Sequence, residues 1–202
     1  MKSNFQYMKY FLVISLLIAT LSGCSTTYRI VPPDQRTGMI PTLGKVPSHE
    51  VKVDKKINLS AYQKLLVVGI RNEVPPNSEE SGSNKFWIKS IENMNFFKHV
   101  VSTDDLALFL VQQGYGNKVP PDLFDLVALH KLQRIYGNFL LVDIILIDNG
   151  ADRDKLVFKV IDPKDAKTYF EVQRKITNWV GLDENLFYPV LNRFHQWINK
   201  NS

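Results

Sequence analysis

The sequence predicts an α+β fold, a mixed sheet of about five strands with helices packed on it and an amphipathic helix at the C-terminus. Three observations carry this. Apolar or alternating runs at Phe139–Ile147, Leu156–Asp162 and Thr168–Thr177 are separated by turn-forming residues. Phe187, Val190, Leu191, Phe194 and Ile198 recur at helical spacing near the end of the chain. Between Lys64 and Tyr136, strand-like and helix-like segments alternate, giving the order β-α-β-α-α-β-β-β-α.

In chain order, Lys64–Ile70 is a short apolar run that reads as a buried strand, followed by the polar loop Glu73–Asn84. Phe86, Trp87, Ile91 and Met94 fall at helical spacing, and Phe96–Val101 reads as a second strand. Thr103 is placed to cap a helix with an acidic first turn, Asp104 and Asp105, which continues through Leu106–Gln113 to Gly114. Pro120, Pro121 and Asp122 open the next helix, Leu123–Tyr136, and Gly137 closes it. Phe139–Ile147 is apolar except for Asp143, as a central strand would be. In Thr168–Thr177, Phe170, Val172 and Ile176 share one face, while Tyr169, Glu171, Gln173 and Lys175 share the other. The short connections at Asn149-Gly150 and Pro163-Lys164-Asp165 predict antiparallel hairpins. The last helix should begin near Tyr188, because Pro189 is tolerated only in a first turn.

Composition narrows the function classes. The chain has 202 residues, 45% of them hydrophobic, and a single cysteine. One cysteine excludes an internal disulfide, a cysteine-based zinc cluster and an iron–sulfur site. Lys2 and Lys9 precede eleven largely apolar residues, Phe11–Leu21, and Ser22-Gly23-Cys24 follow. A basic start and a short apolar core before small residues make a secretory signal, too short to span a bilayer core of about 30 Å.

Leu21-Ser22-Gly23-Cys24 resembles the lipobox of bacterial lipoproteins. The resemblance implies that Cys24 is diacylated on its sulfur, becomes the new N-terminus by cleavage after Gly23, and is then acylated on its amine, giving a palmitate-bearing membrane anchor. Several acyl chains anchor stably where one does so only marginally. Ser25 after the cysteine implies sorting to the outer membrane, facing the periplasm, with the inner membrane as the alternative. Removal of residues 1–23 takes away Lys2 and Lys9 and no acid, lowering the net charge from +5 to +3. That balance and location argue against a nucleic-acid partner. The expected organisation is a signal peptide at 1–23, a lipidated N-terminus and flexible tether at 24–58, and one periplasmic domain at 59–202. Pro32, Pro33, Pro41 and Pro47 mark the tether, although Tyr28, Ile30, Val31, Met39 and Ile40 are able to dock.

The catalytic and metal candidates are sparse. His49, His99, His130 and His195 are widely separated, with no pair at i+3 or i+4 as a helical metal site requires. The loop Asp148–Asp154 clusters three carboxylates but lacks the ligand spacing and closing Glu of an EF-hand, and it reads as a hairpin tip. Gly114-Tyr115-Gly116 follows a helix and is too short for a nucleotide loop. Asp143 needs a partner or solvent, because an unpaired buried charge is costly, and an edge or turnward orientation is expected, with an active-site acid as the alternative. Trp87, Trp179 and Trp197 read as core, with an exposed groove as the alternative. No cofactor, metal or catalytic residue is expected.

Leu65–Ile70, Phe97–Ser102 followed by Asp105-Leu106, Phe139–Asp143 and Phe158–Asp162 together resemble a fold family of the bacterial envelope. It is shared by curli-secretion lipoproteins, penicillin-binding-protein activator lipoproteins and the N-terminal domain of the periplasmic Tol β-propeller protein. Asp143 and Ala166 stand where that family's pattern has glycine. The resemblance implies a non-catalytic binding or assembly module for an envelope complex, its partner surface including the loop Glu73–Asn84. A self-assembling secretion component and an enzyme acting on cell wall or lipid are the alternatives.

Overall fold

The computed structural model describes residues 29–42, 44–72, 81–116, 125–147, 154–176 and 184–202. These form six strands and four α-helices: β1 Val51–Asp54, β2 Lys64–Asn72, α1 Ser81–Glu92, β3 His99–Ser102, α2 Thr103–Gln112, α3 Leu126–Tyr136, β4 Phe139–Ile147, β5 Asp154–Asp162, β6 Lys167–Ile176 and α4 Glu184–Asn201. The strands lie side by side in the order β1-β6-β5-β4-β2-β3. β2 is parallel to both β3 and β4, whereas β4, β5, β6 and β1 pair antiparallel in succession. The expected α+β class, central Phe139 strand and two hairpins are all present.

Connection handedness explains which helix covers which face. The chain moves outward from β2 through α1 to β3, then back past β2 through α2 and α3 to β4. A right-handed crossover places its helix on one face going out and on the opposite face coming back. Accordingly, Phe86, Trp87 and Ile91 of α1 pack with Leu65, Val67, Leu140, Val142 and Ile144, and α4 adds Phe187, Val190, Leu191, Phe194 and Ile198 to that face. Leu106 and Leu110 of α2 and Leu129, Leu132 and Tyr136 of α3 pack on the other, against Leu66, Phe139 and Leu141. Aromatic rings dominate the first layer: Phe158 lies 5.2 Å from Phe194 and 5.6 Å from Trp87 by ring centroids, and Phe170 lies 5.4 Å from Trp197.

The structure corrects several expectations. The sheet has six strands, and the extra one, β1, comes from the stretch expected to be tether. Residues 29–58 form a strap along α4. Ile40 and Leu59 are buried in the aromatic core. Asn192 clamps Ile40, accepting from its N–H at 2.7 Å and donating to its carbonyl at 2.8 Å. The Tyr188 hydroxyl donates to the Arg29 carbonyl, and Trp197 Nε1 donates to the Lys55 carbonyl at 3.0 Å. Asn201 accepts from Ile57 N–H at 2.8 Å, and Arg193 and Lys200 both pair with Asp54 at 2.9 Å. Each contact joins residues more than 130 apart in sequence, which is why local pattern missed it.

Smaller corrections have local causes. The polar loop ends earlier than expected, because α1 begins at Ser81 and includes Asn84. Asn84 Oδ1 accepts from Ile70 N–H at 2.8 Å, tying the first turn of the helix to β2. Ser102, one residue before Thr103, caps α2: its hydroxyl accepts from Asp105 N–H at 3.0 Å while Asp105 accepts from Ser102 N–H at 2.9 Å. These bonds from Ser102 hold the Asp105 carboxyl below its ordinary range. The final helix begins at Glu184, not Tyr188, and Pro189 lies inside it. The expected opening of α3 at Pro120–Asp122 lies outside the described residues, and Asp125 provides the observed cap.

Ala166, in the β5–β6 turn, has a φ of +54°, in the left-handed region where a Cβ is strained. Ala166→Gly should therefore raise stability by about 0.5–1 kcal/mol, measured by denaturant melts, the relief of strain exceeding glycine's entropic cost.

Candidate partner-binding surface

Among the described residues, no group of three His, Cys, Asp or Glu side chains is placed to hold a metal. His49 lies in a 3₁₀ turn at the sheet edge, His99 begins β3, His130 is on α3 and His195 on α4, so the fold does not bring the four together. His130 Nε2 is 2.9 Å from the Lys164 carbonyl, joining α3 to the β5–β6 turn. Trp87 and Trp197 are core residues, 0% and 1% exposed. Trp179, Gly23, Cys24, the loop 73–80 and the carboxylates Asp148 and Asp152 lie outside the described residues.

His195 is buried against the strap, where a Cβ on Gly38 would come within 2.6 Å of its ring. Burial pushes its imidazole below the ordinary value. The folded protein thus favours neutral His195, and the unfolded chain binds more protons on acidification. The stabilising contribution is complete above the unfolded value near pH 6.5 and is lost as pH falls from there through the lower folded value. Melting temperature should drop over that window in wild type and drop less in His195→Gln.

Asp143 does not occupy an edge. It is 2% exposed in the central strand β4. On one side the register places Lys159 of β5 opposite it, and Lys159 in turn opposes Glu171 of β6. On the other side β2 carries an extra residue, since Val67 pairs with Val142 and Ile70 with Ile144. The row Asp143, Lys159, Glu171 alternates in sign across three strands, and cross-strand neighbours of opposite charge are favourable. This gives the acid a structural reason to sit in the sheet.

At the β5–β6 turn, Tyr62 donates to Asp162 Oδ2 at 2.6 Å and Tyr169 donates to Asp165 Oδ2 at 3.1 Å. Burial, then the bond to Asp162, raises the Tyr62 phenol above its ordinary value. Both tyrosines are therefore protonated hydrogen-bond donors that brace the turn.

The feature best suited to a partner is on α2. Leu106 and Leu110 face the sheet, whereas Leu108 and Val111, at i and i+3, form a second stripe that is 59% and 52% exposed, and Tyr115, just past the helix end, is 41% exposed. Val127 on α3 is 60% exposed as well. A helix that covers a sheet with one face needs only one apolar stripe, so the second requires another explanation. Its signal was present in the sequence, where five of the six residues Leu106–Val111 are large and apolar. That run conceals two faces as one core helix until the sheet side is known.

The class these features define is a layered α+β domain with helices on both faces of a mixed sheet and, among the described residues, an exposed apolar face on α2. No protein-family profile matches the chain, and no curated protein matches it. Solved structures similar to it include lipoprotein GNA1162 from Neisseria meningitidis, at 17% identity and TM-score 0.45, covering 68% of this chain and 96% of that one. The LpoB C-terminal domain from Escherichia coli is similar at 13% identity and TM-score 0.41, covering 60% and 87%. The PelC dodecamer from Paraburkholderia phytofirmans is similar at 10% identity and TM-score 0.42, covering 73% and 95%. Likenesses at this level carry no function across.

Proposed function

We propose that the chain is a bacterial envelope lipoprotein, cleaved after Gly23 and acylated on Cys24, that holds its domain in the periplasm at the outer membrane and binds another envelope protein without catalysis. The binding reading rests on the exposed stripe of Leu108 and Val111 on α2, with exposed Tyr115 just past the helix end. Interface centres are enriched in aromatic side chains and poor in charge, and this stripe has that character. The anchor rests on Leu21-Ser22-Gly23-Cys24.

Leu108→Ser combined with Val111→Ser should leave stability within about 1 kcal/mol, since both positions are exposed. The same pair should abolish recovery of a stoichiometric envelope protein after crosslinking and purification from membranes. Undiminished recovery would remove the stripe from the interface; a change in the chain's own oligomeric size would identify a second copy as the occupant. Mass spectrometry of the membrane-extracted chain should find an N-terminus at residue 24 carrying acyl chains. An unmodified Cys24 would overturn the anchor.

A further inference from the structure

At the end of the sheet where β5 begins and β6 finishes, a cleft of about 320 Å³ is lined by His49, Glu50, Lys52, Lys155, Gln173 and Lys175. The register places Lys155 directly opposite Lys175. Like charges in direct cross-strand opposition are destabilising, and such local conflicts concentrate where function requires them. Lys52 is close by, its ammonium donating to the His49 carbonyl at 2.8 Å. Among the described residues lining the cleft, one acid, Glu50, lies among these cations, and its Oε2 is buried with no hydrogen-bond partner among them. A ligand that suits the cleft therefore offers anionic oxygens to three lysines and a hydrogen-bond donor to one carboxylate.

The strap indicates what lies near this end. Tyr188, in the first half of α4, bonds the Arg29 carbonyl, and Gly44 packs on the adjacent Pro189 and on Arg174, the neighbour of Lys175. Arg29, five residues from Cys24 and so within about 18 Å of it, thus lies toward the same end of the sheet as the cleft, on the opposite face. We propose that the cleft seats phosphate headgroups of the membrane in which Cys24 is anchored, the lysines holding the phosphate and Glu50 the ammonium or hydroxyl of an ethanolamine or glycerol headgroup. This deepens the anchor reading and rests on it.

The test uses the full lipidated chain in vesicles of phosphatidylethanolamine and phosphatidylglycerol containing a headgroup nitroxide quencher. A fluorophore is attached through Ser48→Cys, beside the cleft, or Gln112→Cys at the C-terminal end of α2. Phe109 near that end packs at 5.0 Å on Tyr136, which packs at 5.8 Å on Phe139, so it lies where β4 begins, away from the cleft. Quenching is expected at position 48 and not at 112, and weakly in phosphatidylcholine, whose methylated ammonium has no N–H to donate. Lys155→Glu should reduce quenching about fivefold or more, the contribution of one lysine beside an anionic surface, while a thermal melt shows the domain no less stable. Equal quenching at the two positions, or quenching unaffected by Lys155→Glu, overturns the inference and leaves the anchor intact. Fluorophore entering at Cys24 itself overturns the anchor, and the inference with it.

Discussion

Gly69→Ala is expected to destabilise the domain by about 3 kcal/mol, more than any single exposed substitution considered above. Gly69 is inside β2, at the extra residue that shifts the register between Val67 and Ile70, and its φ is +87°. A Cβ in that conformation costs about 1–2 kcal/mol before any contact is considered. Here it would also fall 2.7 Å from Asn84 Oδ1, the atom that accepts the Ile70 N–H. Displacing Asn84 breaks that bond and frees the first turn of α1 from the strand, adding about 1–2 kcal/mol. In a domain of this size the total corresponds to a fall in melting temperature of roughly 6–12 °C. Asn84→Ala separates the two causes, because it removes the clashing side chain and leaves the backbone cost. Gly69→Ala should cost less in that background than in wild type, and equal costs would show that backbone conformation alone is responsible.

The same residue shows how much of the fold the sequence reveals. The apolar run around Gly69 identifies a buried strand, but a glycine within a strand does not disclose which partner it bulges against or which side chain fills the space. Periodicity is local information. It was sufficient for β4, for the β5 and β6 hairpins and for the stripe on α4, because each is decided by neighbours within a few residues. β1 is four residues long, and its partner β6 lies more than a hundred residues later, so nothing near Val51 announces a strand. Proline and glycine in the strap look like tether chemistry, and the groups that fix it, Asn192, Trp197 and Asn201, look like the ordinary polar edge of a helix. Asp143 was conspicuous, yet its placement depends on a register with Lys159 that sequence cannot supply. The candidate interface was half legible: α2 is visibly too apolar for a one-sided helix, but only the burial of Leu106 and Leu110 shows that Leu108 and Val111 are left outside.

Asn192→Ala is expected to cost about 2–4 kcal/mol and to act first on the strap. Asn192 is 8% exposed, and its two hydrogen bonds satisfy both backbone groups of Ile40, itself 2% exposed. Truncation leaves a buried N–H and a buried carbonyl without partners, each costing about 1–2 kcal/mol. Asn192→Asp keeps the acceptor for Ile40 N–H, loses the donor to the carbonyl and buries a charge, so it should be no milder. Hydrogen exchange distinguishes strap release from general loss of stability: the Ile40 amide should exchange faster by more than the amides of β4. Uniform acceleration across both would mean that the strap and sheet unfold as one unit. Release also changes the reach of the domain. With the strap docked, four residues separate Cys24 from Arg29, the first residue bonded to α4; with the part before Ser48 released and β1 still paired with β6, the free segment lengthens to about 23 residues and spans roughly 26 Å as a coil. A vesicle-bound Asn192→Ala protein should then lose headgroup quenching at position 48 although Lys52, Lys155 and Lys175 are unchanged, because the cleft is no longer held beside the anchor. Retained quenching would mean that the lysines find the membrane unaided and that the strap serves stability alone.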